Sequence, residues 1–208
     1  MRFLCFVPLL MLASAAPAAP PAKPLVLAFG DSLTAGYNLD RGLGFAPQLQ
    51  AALRRHGIAA TVADGGVSGD TTGGGRARLD WTLAGLPRQP DLVILELGAN
   101  DMLRGLDPAL AEANLDAMLS ELSRRKIPVL LAGMRAAPNS DPAYRARFDA
   151  IFPALAKKHR AALYPFFMDG VAGQPGMQQA DGLHPTFPGI KRIVAGIVPQ
   201  VMAALKQD

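Results

Sequence analysis

At 208 residues the chain is long enough for one domain with a sizeable core. Half of it is hydrophobic and its formal net charge is +4, a balance that excludes a disordered chain. The basic residues fall in short groups such as Arg54-Arg55 and Arg124-Arg125-Lys126, without interleaved aromatics, which argues against a nucleic-acid partner.

The chain opens on a targeting pattern. Arg2 precedes an apolar run from Phe3 to Leu12, and small residues follow at Ala13-Ser14-Ala15 and Ala16-Pro17-Ala18. Residues 1–22 therefore read as a signal peptide with a Pro/Ala leader, and 23–208 as a single domain. A periplasmic or secreted location is expected. The apolar run is too short for a comfortable membrane span. The only cysteine, Cys5, lies inside it, so a cysteine nucleophile and thiolate metal sites are excluded from the mature chain.

Five apolar runs then read as strands: Leu25–Phe29, Ile58–Ala63, Leu92–Leu97, Ile127–Ala132 and Ala162–Phe166. They are nearly continuous rather than alternating, as strands buried on both faces of a parallel sheet should be. Helix-like segments separate them over Phe45–His56, Gly73–Leu86, Pro108–Lys126 and Tyr144–His159, with a last one over Pro185–Lys206. Strands alternating with helices predict βαβ units in an α/β fold, a three-layer α/β/α sandwich.

Chemistry-bearing motifs stand at the ends of these elements. Gly30-Asp31-Ser32 follows the first strand, where open α/β sheets place their ligand sites. Asp64-Gly65-Gly66-Val67-Ser68-Gly69-Asp70 follows the second, Gly98-Ala99-Asn100-Asp101 the third, and Asp181-Gly182-Leu183-His184-Pro185 precedes the last helix. A serine hydroxyl is a weak nucleophile that needs an adjacent base. His184 is the candidate, because His56 and His159 end helices among basic residues. Asp181 is near enough in sequence to fix the imidazole tautomer. The Ser32 N–H at a helix start, the Gly69 N–H and the Asn100 carboxamide are candidate oxyanion donors. Taken singly, each residue also has a plain use as a helix cap or turn former. Asp31, Asp70 and Asp101 are expected to hold loops. No His, Cys and carboxylate grouping has metal-ligand spacing, and no dinucleotide or phosphate-loop pattern is present.

In order and spacing these motifs resemble the blocks of the SGNH hydrolases, also called the GDSL family, from Gly30 to His184. They are similar to the bacterial periplasmic subgroup of acyl-CoA thioesterases, lysophospholipases and arylesterases. That resemblance implies a flavodoxin-like five-stranded parallel sheet and a hydrolase without cofactor or metal. It makes Ser32 the nucleophile, His184 the base and Asp181 its orienter, with Ser32, Gly69 and Asn100 forming the oxyanion hole. Small acyl esters or thioesters are the expected substrates, with transient lipid contact and a monomeric state. Two other readings stay open at this point: a carbohydrate O-acetylesterase, and an acyl-binding module without turnover. Met102, Leu103 and Leu106 form an apolar stretch better suited to an acyl chain than to a sugar.

Overall fold

A computed structural model describes residues 23–206; the signal-peptide reading lies outside them. The chain order is β1 (Leu25–Gly30), α1 (Ser32–Ala35), α2 (Phe45–Arg55), β2 (Thr61–Gly66), α3 (Thr72–Ala84) and β3 (Leu92–Glu96). It continues through α4 (Ala99–Leu103), α5 (Pro108–Arg124), β4 (Val129–Ala132), α6 (Pro142–His159), β5 (Ala162–Tyr164) and α7 (Phe187–Ala204). Every strand pairing is parallel and the spatial order is β2-β1-β3-β4-β5. The expected five-stranded parallel sheet flanked by helices is therefore the observed architecture.

Hydrophobic burial explains where the strands fall. Every residue of β1 and of β3 is buried, as the central positions of a sheet covered on both faces require. Helices α2 and α7 pack against each other, and α3, α5 and α6 pack in series. The largest buried side chains, among them Phe29, Phe45, Phe148, Phe152 and Phe167, fill the space between sheet and helices. Among the described residues no helix is long and apolar enough to cross a membrane.

The second strand lies three residues later than its apolar run predicts. It is an edge strand paired only to β1, and most of it is exposed or half-buried, so it needs no continuous apolar run. The apolar Ile58-Ala59-Ala60 instead leaves α2, with the Ile58 N–H donating to the Leu53 carbonyl at 2.9 Å. The fifth strand stops at Tyr164 because Pro165 has no N–H to continue the ladder. The short helices α1 and α4 are too brief to show helical periodicity.

One feature of the topology positions the site. The chain leaves β1, adds β2 on one side and returns to add β3 on the other. The carboxyl ends of β1 and β3 therefore flank a switch point, the usual place for a ligand in an open α/β sheet. Ser32 follows β1 and Asn100 follows β3.

Candidate active site

Asp31 caps α1: its Oδ1 accepts from the Leu33 N–H at 3.0 Å, which sets Ser32 at the first helical position. Ser32 is largely buried. Its Oγ lies 2.9 Å from His184 Nε2, and His184 Nδ1 lies 2.6 Å from Asp181 Oδ2. The other Asp181 oxygen accepts from the backbone N–H groups of Leu183 and His184 at 2.9 and 3.0 Å. The three-residue spacing of Asp181 and His184 is thus a closed turn in which one carboxylate holds both the backbone and the ring. The His184 hydrogen bond, followed by the two backbone N–H groups, lowers the Asp181 pKa from 3.8 to about 2. Asp181 stays ionised at working pH and keeps the Nδ1 proton in place. That leaves Nε2 free to accept from the serine hydroxyl. The Tyr37 ring lies against the imidazole, with centroids 4.4 Å apart.

The three candidate oxyanion donors stand on segments that Asn100 links, through Asp31 beside Ser32 and Asp70 beside Gly69. Among the described residues neither the Ser32 N–H nor the Gly69 N–H donates a hydrogen bond. Gly69 has φ of +88°, a conformation that side chains rarely adopt, and Arg104 Nη2 donates to its carbonyl at 2.7 Å. That bond fixes the orientation of the loop that carries the Gly69 N–H. Asn100, the second residue of α4, donates from Nδ2 to the Asp70 carbonyl at 2.9 Å and to Asp31 Oδ2 at 3.1 Å. Both of its amide protons have protein acceptors, the Asp31 link being the longer.

Several residues that motif reasoning left without a role hold this arrangement. Glu96, fully buried at the end of β3, accepts from Thr34 Oγ1 at 2.7 Å and from the Asp31 N–H at 3.4 Å, while its Oε1 has no partner. Burial first, then the Asp31 charge, raises the Glu96 pKa well above the ordinary carboxylate value. Burial likewise raises Asp31 from 3.8 to about 6. The signal was there to read: one acid closing the apolar run Leu92-Val93-Ile94-Leu95-Glu96.

Arg78, on α3, donates to the Gly30 and Gly65 carbonyls at 2.8 Å each and pairs with Asp70 at 2.6 Å. It covers the Phe29 ring at 4.1 Å. Asp70 therefore serves an arginine rather than loop amides, whereas Asp101 behaves as expected, accepting from the Thr72 N–H and hydroxyl at 2.7 and 2.6 Å. Gln179 ties the histidine loop to the serine loop through the Tyr37 carbonyl at 2.9 Å and Asn38 Nδ2 at 3.1 Å. His159 pairs with Asp116 at 2.6 Å, far from the serine in the fold. Among the described residues no three His, Cys, Asp or Glu side chains are grouped to hold a metal ion. A groove of about 850 Å³ between α2 and α7 is lined by neither Ser32 nor His184.

A nucleophile, a base, an ionised orienter and converging donors are the parts an acyl-transfer centre requires. The chain belongs to the GDSL-like lipase/acylhydrolase family, with the match running over residues 28–192. It is 39% identical over 184 residues to esterase TesA of Pseudomonas aeruginosa, an alignment covering 88% of this chain and 90% of that protein. It is 36% identical over 164 residues to thioesterase 1/protease 1/lysophospholipase L1 of Escherichia coli K12, covering 79% and 76%. The crystal structure of AlinE4, an SGNH-hydrolase family esterase, superposes with a TM-score of 0.76 at 49% identity, covering 90% of this chain and 99% of that one.

Proposed function

We propose that this chain is an exported serine hydrolase of acyl esters and thioesters, acting on aryl esters, lysophospholipids and acyl-CoA through an acyl-enzyme on Ser32. The carrying observation is the unbroken relay from Ser32 Oγ through His184 to Asp181, at 2.9 and 2.6 Å. Ser32 Oγ attacks the acyl carbonyl carbon while His184 Nε2 takes its proton, and Asp181 stabilises the imidazolium. The carbonyl oxygen becomes an oxyanion held by the Ser32 N–H, the Gly69 N–H and the Asn100 amide. His184 then protonates the departing alkoxide or thiolate. Water, deprotonated by the same nitrogen, attacks the acyl-enzyme and releases the acid.

The similarity to an esterase and to a thioesterase/lysophospholipase supports the substrate class. The exposed Leu103 and half-buried Met102 beside Asn100 support an acyl chain over a sugar. The leader pattern of residues 1–22 supports export. A phosphonate that traps serine nucleophiles tests the centre. Labelling is expected on Ser32 alone, with loss of turnover in Ser32→Ala. Labelling at Ser68, or turnover surviving in Ser32→Ala, would falsify the assignment.

A further inference from the structure

Exposed apolar side chains are ordinary when scattered. Here they are not scattered. Six large hydrophobic residues are exposed among the described ones: Tyr37, Val67, Trp81, Leu103, Leu110 and Leu183. Four of the six lie one to five residues from Ser32, Gly69, Asn100 or His184, one on each of the four loops that build the site. Tyr37 touches His184 by ring contact, the Val67 N–H is tied to the Gly30 carbonyl, and Leu103 ends α4 beside the Arg104 that holds Gly69. The four thus sit on the separate segments that carry Ser32, Gly69, Asn100 and His184. One acyl chain leaving Ser32 runs in one direction and has no use for all four.

The charges on these loops are mostly committed within the protein. Asp70 pairs with Arg78, Asp181 with His184, and Arg104 donates to Gly69. Asp40 and Arg41, farther along the Tyr37 loop, are exposed and opposite in sign. Such a rim loses little hydration of charge when it meets an apolar phase. At the same end of the molecule α7 carries Lys191 and Arg192 exposed in its first turns and no acid anywhere along its length. Exposed cations at the start of the helix that follows the Leu183 loop fit an anionic lipid surface.

We infer that the rim formed by Tyr37, Val67, Leu103 and Leu183 is a docking surface for an anionic phospholipid bilayer, seating the mouth of the active site on the membrane. This rests on the acyl-hydrolase reading and deepens it: lipid substrates reach Ser32 from a surface rather than from free solution. Each half-exposed apolar side chain that enters the lipid is expected to strengthen partitioning about fivefold.

The test separates binding from chemistry. Partitioning onto phosphatidylglycerol/phosphatidylcholine vesicles is measured by sedimentation with Ser32→Ala protein in its exported form. Adding Val67→Ser, Leu103→Ser and Leu183→Ser is expected to weaken it about a hundredfold, whereas adding Trp81→Ser, on the flank of α3, leaves it unchanged. With Ser32 intact, Val67→Ser/Leu183→Ser should still hydrolyse a soluble aryl acetate at near the parent rate, and a cooperative thermal melt certifies the fold of the triple variant. If the triple variant does not fold, the Val67→Ser/Leu103→Ser pair should weaken partitioning about 25-fold. Failure of the Ser32→Ala parent to sediment with vesicles overturns the inference. So does equal binding by the rim variants, or an effect of Trp81→Ser as large as theirs. A parent that does not hydrolyse the soluble acetate argues against the hydrolase reading instead, and the vesicle data still decide the docking surface.

Discussion

Removing the Asn100 carboxamide should damage rate and fold by separate, measurable amounts. Its Nδ2 donates to Asp31 Oδ2 at 3.1 Å and to the Asp70 carbonyl at 2.9 Å, and Asp31 is fully buried. In Asn100→Ala both acceptors lose a partner, which costs about 1–3 kcal/mol for a buried group and lowers Tm by several degrees in a domain of this size. Loss of one oxyanion donor lowers kcat by about 10²–10³ with little change in KM. Asn100→Asp puts a carboxylate oxygen where Nδ2 stood, 3.1 Å from an Asp31 oxygen. If both were ionised, the repulsion would reach about 5 kcal/mol at an effective dielectric of 20, so the pair retains a proton instead. A carboxyl whose folded pKa is raised loses stability as pH rises. The Tm deficit of Asn100→Asp should therefore exceed that of Asn100→Ala at pH 8 and shrink towards pH 5. The assay is steady-state turnover of a soluble aryl acetate, normalised to sites titrated with phosphonate, together with calorimetry. A kcat within about threefold of wild type in both folded variants would refute the oxyanion role, whatever happened to Tm.

Asp181→Asn should lower kcat about 10⁴-fold by releasing the imidazole tautomer, and should lower Tm at neutral pH only modestly because the carboxylate is partly exposed; a normal rate would show that the ring is held by something else. His184→Gln should remove most of the turnover, because no side chain then takes the Ser32 proton. The Asp181 pKa is lowered from 3.8 to about 2, so its pairing stabilises the fold above pH 3.8 and is lost as pH falls towards 2; Asp181→Asn should flatten acid unfolding over that window. Glu96 has the opposite sign. Its raised pKa means stability is lost as pH rises, so Glu96→Gln, which mimics the neutral acid, should raise Tm at alkaline pH and leave it unchanged at pH 4; no alkaline gain would mean that Glu96 is not the group that ionises. Gly30→Ala would place a Cβ 2.2 Å from Thr34 Oγ1 and 2.6 Å from the Glu96 carbonyl, so a loss of about 1–3 kcal/mol or more is expected in denaturant unfolding, with kcat falling as Ser32 shifts.

The parts of the fold that burial dictates were readable from composition along the chain. β1, β3 and β4 are apolar runs because both of their faces are covered. β2 was displaced because an edge strand tolerates Thr61, Asp64 and two glycines. In the candidate site, Ser32, Asp181, His184, Gly69 and Asn100 stood out because each follows or precedes an element in a short motif; the structure hydrogen-bonds Ser32, His184 and Asp181 in one line and Asn100 between Asp31 and the Asp70 carbonyl, next to Gly69. What stayed hidden is long-range. Arg78 reaches back to Gly30 and Gly65, Arg104 reaches to Gly69, and Gln179 reaches across more than a hundred residues to Tyr37. Nothing in local spacing announces such partners, since an arginine on a helix reads as solvated until the fold supplies a carbonyl. Glu96 was the exception, an acid in a fully buried strand whose burial raises its pKa.

On the proposed mechanism, the closed turn of Asp181 and His184 also dictates when reactivity can arise. That pair is local and can form as soon as its own loop does, but the serine it activates was laid down more than 150 residues earlier in the chain. The contact between the two depends on the final loop settling beside β1, with α7 anchored on α2 and Gln179 fastened to the serine loop. Until that last segment docks, Ser32 is an ordinary alcohol at the end of a strand. Hydrolytic competence is therefore a readout of completed folding: a nascent or half-folded chain carries the nucleophile but not the means to use it, and any lesion that loosens α7 should silence the enzyme before it unfolds the sheet.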